Sequence, residues 1–140
     1  MMKTINMKDL MYLNLFEKIT KVRTRHSFKY NDKIFFCVPK KFLKQAIGED
    51  AKNIKKINKI TGKKIRVVPQ PNPNNKEDIK EFIKKIISPI EFRDIEVTEN
   101  EIKITAGRMN KASLIGKNKR RLEEMNKITK DYFNKEFAVV

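Results

Sequence analysis

The chain has few of the residues that build catalytic, metal or cross-linked sites. Its 140 residues include one cysteine, one histidine and no tryptophan. Cys37 has no partner for an internal disulfide, and inside the apolar run IFFCV it is predicted to be a small core residue. Because a zinc site needs about four Cys or His ligands, His26 and Cys37 do not form one. We expect a protein that is not an enzyme, with no metal, cofactor or small-molecule substrate.

Long apolar runs and a phosphate-loop motif are also missing. No apolar run approaches the ~20 residues that cross a bilayer, and the start MMKTINMKDLMYLNLF has no small-residue cleavage site. We therefore expect a cytoplasmic protein with no membrane partner. The segment ITGKK at 60–64 lacks the upstream glycine of a Walker-type loop. Gly62 is instead predicted to cap the C-terminus of the preceding helix.

Acidic residues are scarce relative to basic ones. The chain has 33 Lys and Arg against 17 Asp and Glu, a formal net charge of +16. Residues 1–70 carry 18 bases and 5 acids, and residues 71–140 carry 15 and 12. Thermal adaptation also enriches lysine, but it usually adds glutamate as well. A field of this sign attracts polyanions, and nucleic acid is the default partner of a small basic domain.

The chain contains an internal repeat. The letters NKIT occur at 58–61 and again at 126–129. When Gly48 is set over Gly116, IGEDAKNIKKINKIT aligns with IGKNKRRLEEMNKIT, and the apolar positions match as well as the identities. The sequence therefore predicts two copies of one structural unit.

Hydrophobic periodicity predicts the same order of elements in each copy, namely helix, two strands, two helices and a strand. In the first copy these are a helix over 7–19, strands in VRTRHSFKY and KIFFCV, helices at about 39–46 and 51–61, and the strand KIRVV. In the second they are a helix in KEDIKEFIKKII, strands in FRDIEVT and EIKIT, helices from about Met109 and over about 118–133, and the strand FAVV.

A proline-rich segment, PQPNPNN at 69–75, separates the copies and is predicted to be extended and semi-stiff. We expect domains at 1–70 and 71–140. Because the linker is short and each unit is small, we expect the two to touch and act as one rigid body.

Two helices joined by an Ile-Gly turn on a basic surface resemble a KH domain, the module that binds RNA or single-stranded DNA. The element order is similar to that of type II KH domains, and two in tandem resemble the archaeal NusA-like transcription factors. The resemblance covers nearly the whole chain. It implies an α+β fold of two tandem type II KH domains, each αββααβ with a three-stranded sheet covered by helices. It further implies binding of single-stranded RNA in the nascent transcript, contact with RNA polymerase, and a role in transcription elongation or termination.

The turn between the two helices is the candidate site. The N-terminus of a helix presents unpaired N–H groups and a positive dipole end, so it favours anions, and glycine lets a phosphate approach the backbone. The loop of the family is Gly-x-x-Gly, which clamps about four nucleotides by their backbone. Here the turns are Gly48-Glu49-Asp50-Ala51 and Gly116-Lys117-Asn118-Lys119, and both lack the second glycine. Glu49 and Asp50 are predicted to cap the following helix and to block the first anion site.

The predicted RNA-binding residues are therefore centred on the second turn. They are Ile115, Gly116, Lys117, Asn118, Lys119, Arg120 and Arg121, together with Gly48, Lys52, Lys55 and Lys56 of the first copy. In one arrangement, lysines of the first copy track an RNA that the second turn clamps. Further cations are predicted on one face of the first strand at Arg23, Arg25 and Lys29.

Apolar residues give weaker signals. Ile47, Ile54, Ile115 and Leu122 are candidates for groove walls as well as for core, as the resemblance to KH domains implies. Aromatic residues in periodic apolar positions are predicted to be core, and they are Phe35, Phe36, Phe82 and Phe92. Residues that could stack on bases are Phe28, Tyr30 and Tyr132.

Three other interpretations remain open. In a protein–protein scaffold, degenerate KH units would have lost RNA, and the basic face would dock on an acidic surface of polymerase or another factor. A ribosome-associated KH protein would share the chemistry and differ in the RNA that it binds. The second turn could also be a solvated basic turn without a ligand.

Overall fold

A computed structural model describes residues 7–24 and 26–140 of the chain. The chain divides into two compact units, Met1–Gln70 and Pro71–Val140. Each unit contains three helices and one three-stranded sheet in its described residues. The mixed α+β fold and the αββααβ order predicted for each half are confirmed.

Unit 1 follows the predicted order closely. Its elements are α1 (Met7–Thr20), β1 (His26–Tyr30), β2 (Lys33–Val38), α2 (Leu43–Ile47), α3 (Lys52–Thr61) and β3 (Lys64–Pro69). A short 3-10 turn over Lys40–Phe42 precedes α2. The strand predicted in VRTRHSFKY begins later than expected, at His26. Gly62 adopts the left-handed conformation that ends α3, and its N–H donates to the carbonyl of Asn58, which confirms its predicted role as a cap.

Unit 2 repeats this order. Its elements are α4 (Lys76–Ile87), β4 (Asp94–Val97), β5 (Glu101–Thr105), α5 (Arg108–Ile115), α6 (Arg120–Phe133) and β6 (Glu136–Val139). The side chain of Asn75 caps α4 by accepting hydrogen bonds from the N–H groups of Glu77 and Asp78. The helix α6 has 14 residues and α3 has 10, so α6 is about one turn longer.

The two sheets have the same topology. The strand orders are β1-β2-β3 and β4-β5-β6. In each sheet the first pair of strands is antiparallel and the second pair is parallel. The parallel pair requires a crossover, which the two consecutive helices of each unit supply.

The core of unit 1 lies between its sheet and its helices. Phe16 of α1 stacks on Phe36 of β2 with ring centroids 4.3 Å apart. Ala46 of α2 and Ile57 of α3 belong to the same buried cluster. Cys37 is buried, as predicted. In unit 2, all four apolar residues predicted on one face of α4 are buried, and they are Ile79, Phe82, Ile83 and Ile86.

The repeated NKIT segments link the longer helix of each unit to the strand that follows it. The Oδ1 atom of Asn58 accepts the N–H of Ile65 at 2.8 Å, and the Oδ1 atom of Asn126 accepts the N–H of Phe137 at 2.9 Å. Each asparagine thus joins the longer helix to the strand that follows it. Thr129 donates its hydroxyl to the carbonyl of Lys135 at 2.9 Å, which fixes the connection between α6 and β6. The fold therefore explains why the same four residues occur in both copies.

Some expectations are wrong. Phe92 is half-buried rather than core. The segment 69–75 is not simply extended, because Pro69 is the last residue of β3 and a turn follows in which the N–H of Asn75 donates to the carbonyl of Asn72 at 3.1 Å. Arg25, predicted to share a strand face with Arg23 and Lys29, lies outside the described residues.

Candidate nucleic-acid interface

The two glycine turns have almost the same backbone conformation. We call residues 48–51 the first glycine turn and residues 116–119 the second glycine turn. Gly48 has φ 79° and ψ 164°, and Gly116 has φ 78° and ψ 170°. The next two left-handed residues also match in the two turns, with φ of 52° and 58° at Asp50 and Ala51 and of 55° and 60° at Asn118 and Lys119. The position that has lost its second glycine therefore keeps the conformation that glycine adopts most easily.

The first glycine of each turn is required by space as well as by conformation. A Cβ at Gly116 would lie 2.6 Å from Cγ of Arg121, and one at Gly48 would lie 3.0 Å from Cγ of Lys52. The glycine hydrogen thus faces the first turn of the next helix. The structure therefore adds a local reason for these glycines to the predicted close approach of a phosphate, because a side chain at Gly116 would overlap the stem of Arg121.

Neither helix that follows a turn has a side-chain cap. The N-caps of α3 and α6 are Ala51 and Lys119, and neither makes a capping hydrogen bond through its side chain. The prediction that Glu49 and Asp50 cap α3 is therefore wrong. They precede the cap position, in a 3-10 turn closed by the N–H of Ala51 on the carbonyl of Gly48 at 3.1 Å. Their carboxylates are exposed at the turn, where they still oppose an anion.

The second turn is surrounded by exposed cations. Lys117, Lys119 and Arg120 are all exposed, and Asn118 lies between them at the tip of the turn. Within the turn the N–H of Lys119 donates to the carbonyl of Gly116 at 3.2 Å. With no carboxylate at the turn and no side-chain cap on α6, the positive end of the helix dipole and the three cations act in the same direction.

Arg121 differs from its predicted partners. Its guanidinium pairs with the carboxylate of Glu124 one turn along α6, and both side chains are largely buried. Its stem also packs beside Gly116. The structure thus gives Arg121 a role in holding the turn against α6, whereas Lys117, Lys119 and Arg120 are more exposed.

Two basic residues of α5, the helix that precedes the second turn, were not among the predicted site residues. Arg108 begins α5 and is exposed, and Lys111 lies one turn further along. From Lys103 to Arg121 the sequence contains no acid. This acid-free run was visible in the sequence, and it is the signal that would have identified both residues.

The cations predicted in unit 1 are exposed but do not surround its turn. Lys52, Lys55 and Lys56 all lie on the solvent side of α3. The stem of Lys52 lies beside Gly48. The turn itself presents Glu49 and Asp50. In unit 1 the positive charge therefore follows the helix, and in unit 2 it lies at the turn.

The predicted groove walls are half-buried. Ile47, Ile54, Ile115 and Leu122 each retain part of their surface. Two of the candidate stacking residues are buried, since Phe28 is 9% exposed and Tyr30 is 3% exposed. Tyr132 is half-buried and packs edge-on against Phe82 at 5.6 Å between centroids. Aliphatic surface beside each turn, rather than an aromatic platform, is available to a base.

Other kinds of site find no support in the described residues. Residues 7–24 and 26–140 contain no cluster of three or more His, Cys, Asp or Glu arranged to hold a metal ion. Within the same ranges no helix has the length and apolar character to span a bilayer.

Known proteins resemble the chain in sequence and in fold. No protein-family model matches the chain. The chain is 37% identical over 93 residues to the probable transcription termination protein NusA of Methanococcus vannielii. That match covers 66% of this chain and 51% of the relative, so the chain spans about half the length of the curated relative it matches.

Among solved structures, the crystal structure of APE1850 has the same fold. It superposes with a TM-score of 0.62 at 23% sequence identity, and the match covers 96% of this chain and 99% of that one. The chain is thus similar in sequence to an archaeal NusA, and it has the fold of APE1850, with two tandem units that each combine helices with a three-stranded sheet.

Proposed function

We propose that the chain is a non-enzymatic protein that binds single-stranded RNA and acts in transcription elongation or termination. The similarity to NusA supports the process, and the second glycine turn supports the chemistry. The observation that carries the proposal is the difference between two turns of equal backbone conformation. One turn presents Glu49 and Asp50, and the other presents Lys117 and Lys119.

The geometry of the second turn supports one mode of binding. The sugar–phosphate backbone lies against residues 116–119, where Lys117, Lys119 and Arg120 neutralise phosphates and the start of α6 contributes its dipole. Bases then lie beside Ile115 and Leu122, whose half-buried side chains offer apolar contact. This arrangement suits unpaired strands, because only unstacked bases reach such a groove.

Unit 1 contributes attraction along its helix rather than a clamp. Lys52, Lys55 and Lys56 form an exposed row on α3, while the carboxylates of the first turn repel a phosphate that approaches Gly48. We propose that RNA tracked by these lysines is held at the second turn, that the RNA is the nascent transcript, and that the protein works in the cytoplasm in contact with RNA polymerase.

Fluorescence anisotropy with a labelled single-stranded RNA tests the proposal. Affinity should fall as salt rises, because binding releases counterions from phosphate. Lys117→Glu with Lys119→Glu should weaken binding about a hundredfold, since two charge-assisted contacts of roughly 1.5 kcal/mol each are lost.

The matched control is Lys8→Glu with Lys18→Glu, which makes the same charge change on exposed positions of α1. If both double variants bind RNA alike, the second turn is not a clamp. If RNA binding is weak in the unaltered protein and an acidic factor remains bound after nuclease treatment, the chain is a protein scaffold instead.

A further inference from the structure

Three basic side chains meet on one face of the sheet of unit 1, away from both glycine turns. They are Lys33 on β2 and Lys64 and Arg66 on β3, and we call them the basic sheet patch. Lys33 lies directly opposite Lys64 in the parallel register, and Arg66 lies opposite Phe35. Neighbouring strands are about 4.8 Å apart, and Arg66 is about 6.6 Å further along the strand than Lys64.

The patch is on the face of the sheet opposite the helices of unit 1, beside the buried side chains of Tyr30 and Phe35. Successive residues of a strand point to opposite faces. Ile34 and Phe36 of β2 and Ile65 of β3 belong to the buried cluster that includes residues of α1, α2 and α3. Lys33, Lys64 and Arg66 alternate with these residues and therefore point the other way. Lys64 is exposed, and Lys33 and Arg66 are half-buried.

The patch is an arrangement of mutually repelling charges. Burial is the largest cause of a lowered pKa at Lys33, and Arg66 and Lys64 lower that pKa further. Both charged neighbours that shift the pKa of Lys33 are thus cations. Holding three cations together costs folding free energy, and that cost falls when an anion binds among them.

The patch is also separate from the first glycine turn. The helix α3 begins at Lys52, beside that turn, and ends at Thr61, three residues before Lys64. Ten residues of helix span about 15 Å, so the patch and the turn lie at opposite ends of α3. A phosphate at the patch is therefore remote from Glu49 and Asp50, which oppose phosphate at the turn.

We propose that the basic sheet patch is a second contact for the sugar–phosphate backbone of nucleic acid, made by the sheet of unit 1 independently of the glycine turns. This inference rests on the proposed function and adds a second site to it. An extended backbone with regularly spaced negative charges matches cations spaced along adjacent strands. The patch also gives a role to part of the base excess of residues 1–70, 18 bases against 5 acids, which the first glycine turn does not use.

The test compares three triple variants with the unaltered protein. The patch variant is Lys33→Gln, Lys64→Gln and Arg66→Gln. The turn variant is Lys117→Gln, Lys119→Gln and Arg120→Gln. The control is Lys8→Gln, Lys18→Gln and Lys21→Gln, which removes three exposed charges from α1 and its end. Each is titrated with oligouridylates of about 6 and about 24 nucleotides, the shorter being little longer than the roughly four nucleotides that a KH turn clamps.

The patch variant should bind the longer RNA about tenfold more weakly than the unaltered protein does. The slope of log affinity against log salt concentration should fall in magnitude by about 2, since each phosphate contact on a single strand contributes about 0.7. Its affinity for the shorter RNA should match that of the control. The turn variant should weaken both oligonucleotides. This pattern supports the patch as a separate contact.

If the patch variant and the control bind the longer RNA alike while the turn variant is weak, the inference is overturned and the proposed function stands. If the unaltered protein binds neither oligonucleotide in a salt-dependent way, the proposed function itself fails. If the patch variant keeps RNA affinity but loses binding to polyglutamate, the patch is a protein-docking surface and the inference is overturned.

Discussion

Asn126 makes a two-way hydrogen bond with the backbone of Phe137. Its Oδ1 atom accepts the N–H of Phe137 at 2.9 Å, and its Nδ2 atom donates to the carbonyl of the same residue at 3.2 Å. The partner is 11 residues away in sequence, whereas Asn58 reaches Ile65 over 7. The longer α6 therefore leaves the link between helix and strand intact.

Replacing Asn126 with alanine should lower the free energy of unfolding by about 2 kcal/mol, because backbone groups at the start of β6 lose their partner. Asn58→Ala should cost about 1 kcal/mol, since one hydrogen bond to the strand is lost. Urea unfolding of the full chain measures both. Asn110→Ala, at an exposed position of α5, is the control. Equal midpoints for Asn126→Ala and the control would show that the link contributes nothing.

Restoring glycine at the fourth position of the first turn should stabilise the protein. Ala51 has φ 58°, a left-handed conformation that costs a residue with a Cβ about 1–2 kcal/mol. Part of the gain is lost to the greater freedom of glycine in the unfolded chain. We expect Ala51→Gly to raise the free energy of unfolding by roughly 0.5–1 kcal/mol.

The reverse change at Gly116 should have the opposite sign. Gly116→Ala forces a left-handed alanine whose Cβ lies 2.6 Å from the stem of Arg121. Strain and overlap together should cost about 2 kcal/mol or more, as measured by the thermal midpoint. A stable Gly116→Ala protein would mean that the turn rearranges without difficulty.

Exchanging the side chains of the turns should transfer binding. Glu49→Lys with Asp50→Asn gives the first turn the residues found at Lys117 and Asn118, on a backbone of nearly the same φ and ψ. We expect RNA affinity to rise about tenfold, because repulsion of phosphate becomes attraction. Glu17→Lys with Asp9→Asn makes the same charge change on α1. An equal gain in this control would indicate a general field effect instead of a new contact.

Lys33→Gln should stabilise the folded protein at neutral pH, because it removes a partly desolvated cation that Arg66 and Lys64 repel. Folding lowers the pKa of Lys33 from 10.5, so the unfolded chain binds more protons than the folded one between the two values. The cost of the charged lysine is fully present below the lowered pKa and disappears as the pH rises towards 10.5. The thermal midpoints of Lys33→Gln and the unaltered protein should converge over that range. A gap that stays constant from pH 7 to about 10.5 would contradict this origin.

The amino-acid sequence by itself determined the order of elements, because each depends on local periodicity and local turn chemistry. The spacing of Ile79, Phe82, Ile83 and Ile86 placed the buried face of α4, and Gly62 marked the end of α3. The aligned glycines also located both turns. Signals of this kind act within a few residues, so they can be read along the chain.

The tertiary structure decided what those residues contact. The repeat of NKIT was visible, but the partner of each asparagine depends on where the next strand returns. Phe28 and Tyr30 are buried and Arg121 pairs with Glu124, and residue type alone reveals neither fact. Lys33 and Lys64 become neighbours because β2 and β3 pair in parallel across the helical crossover, and no local pattern encodes that register.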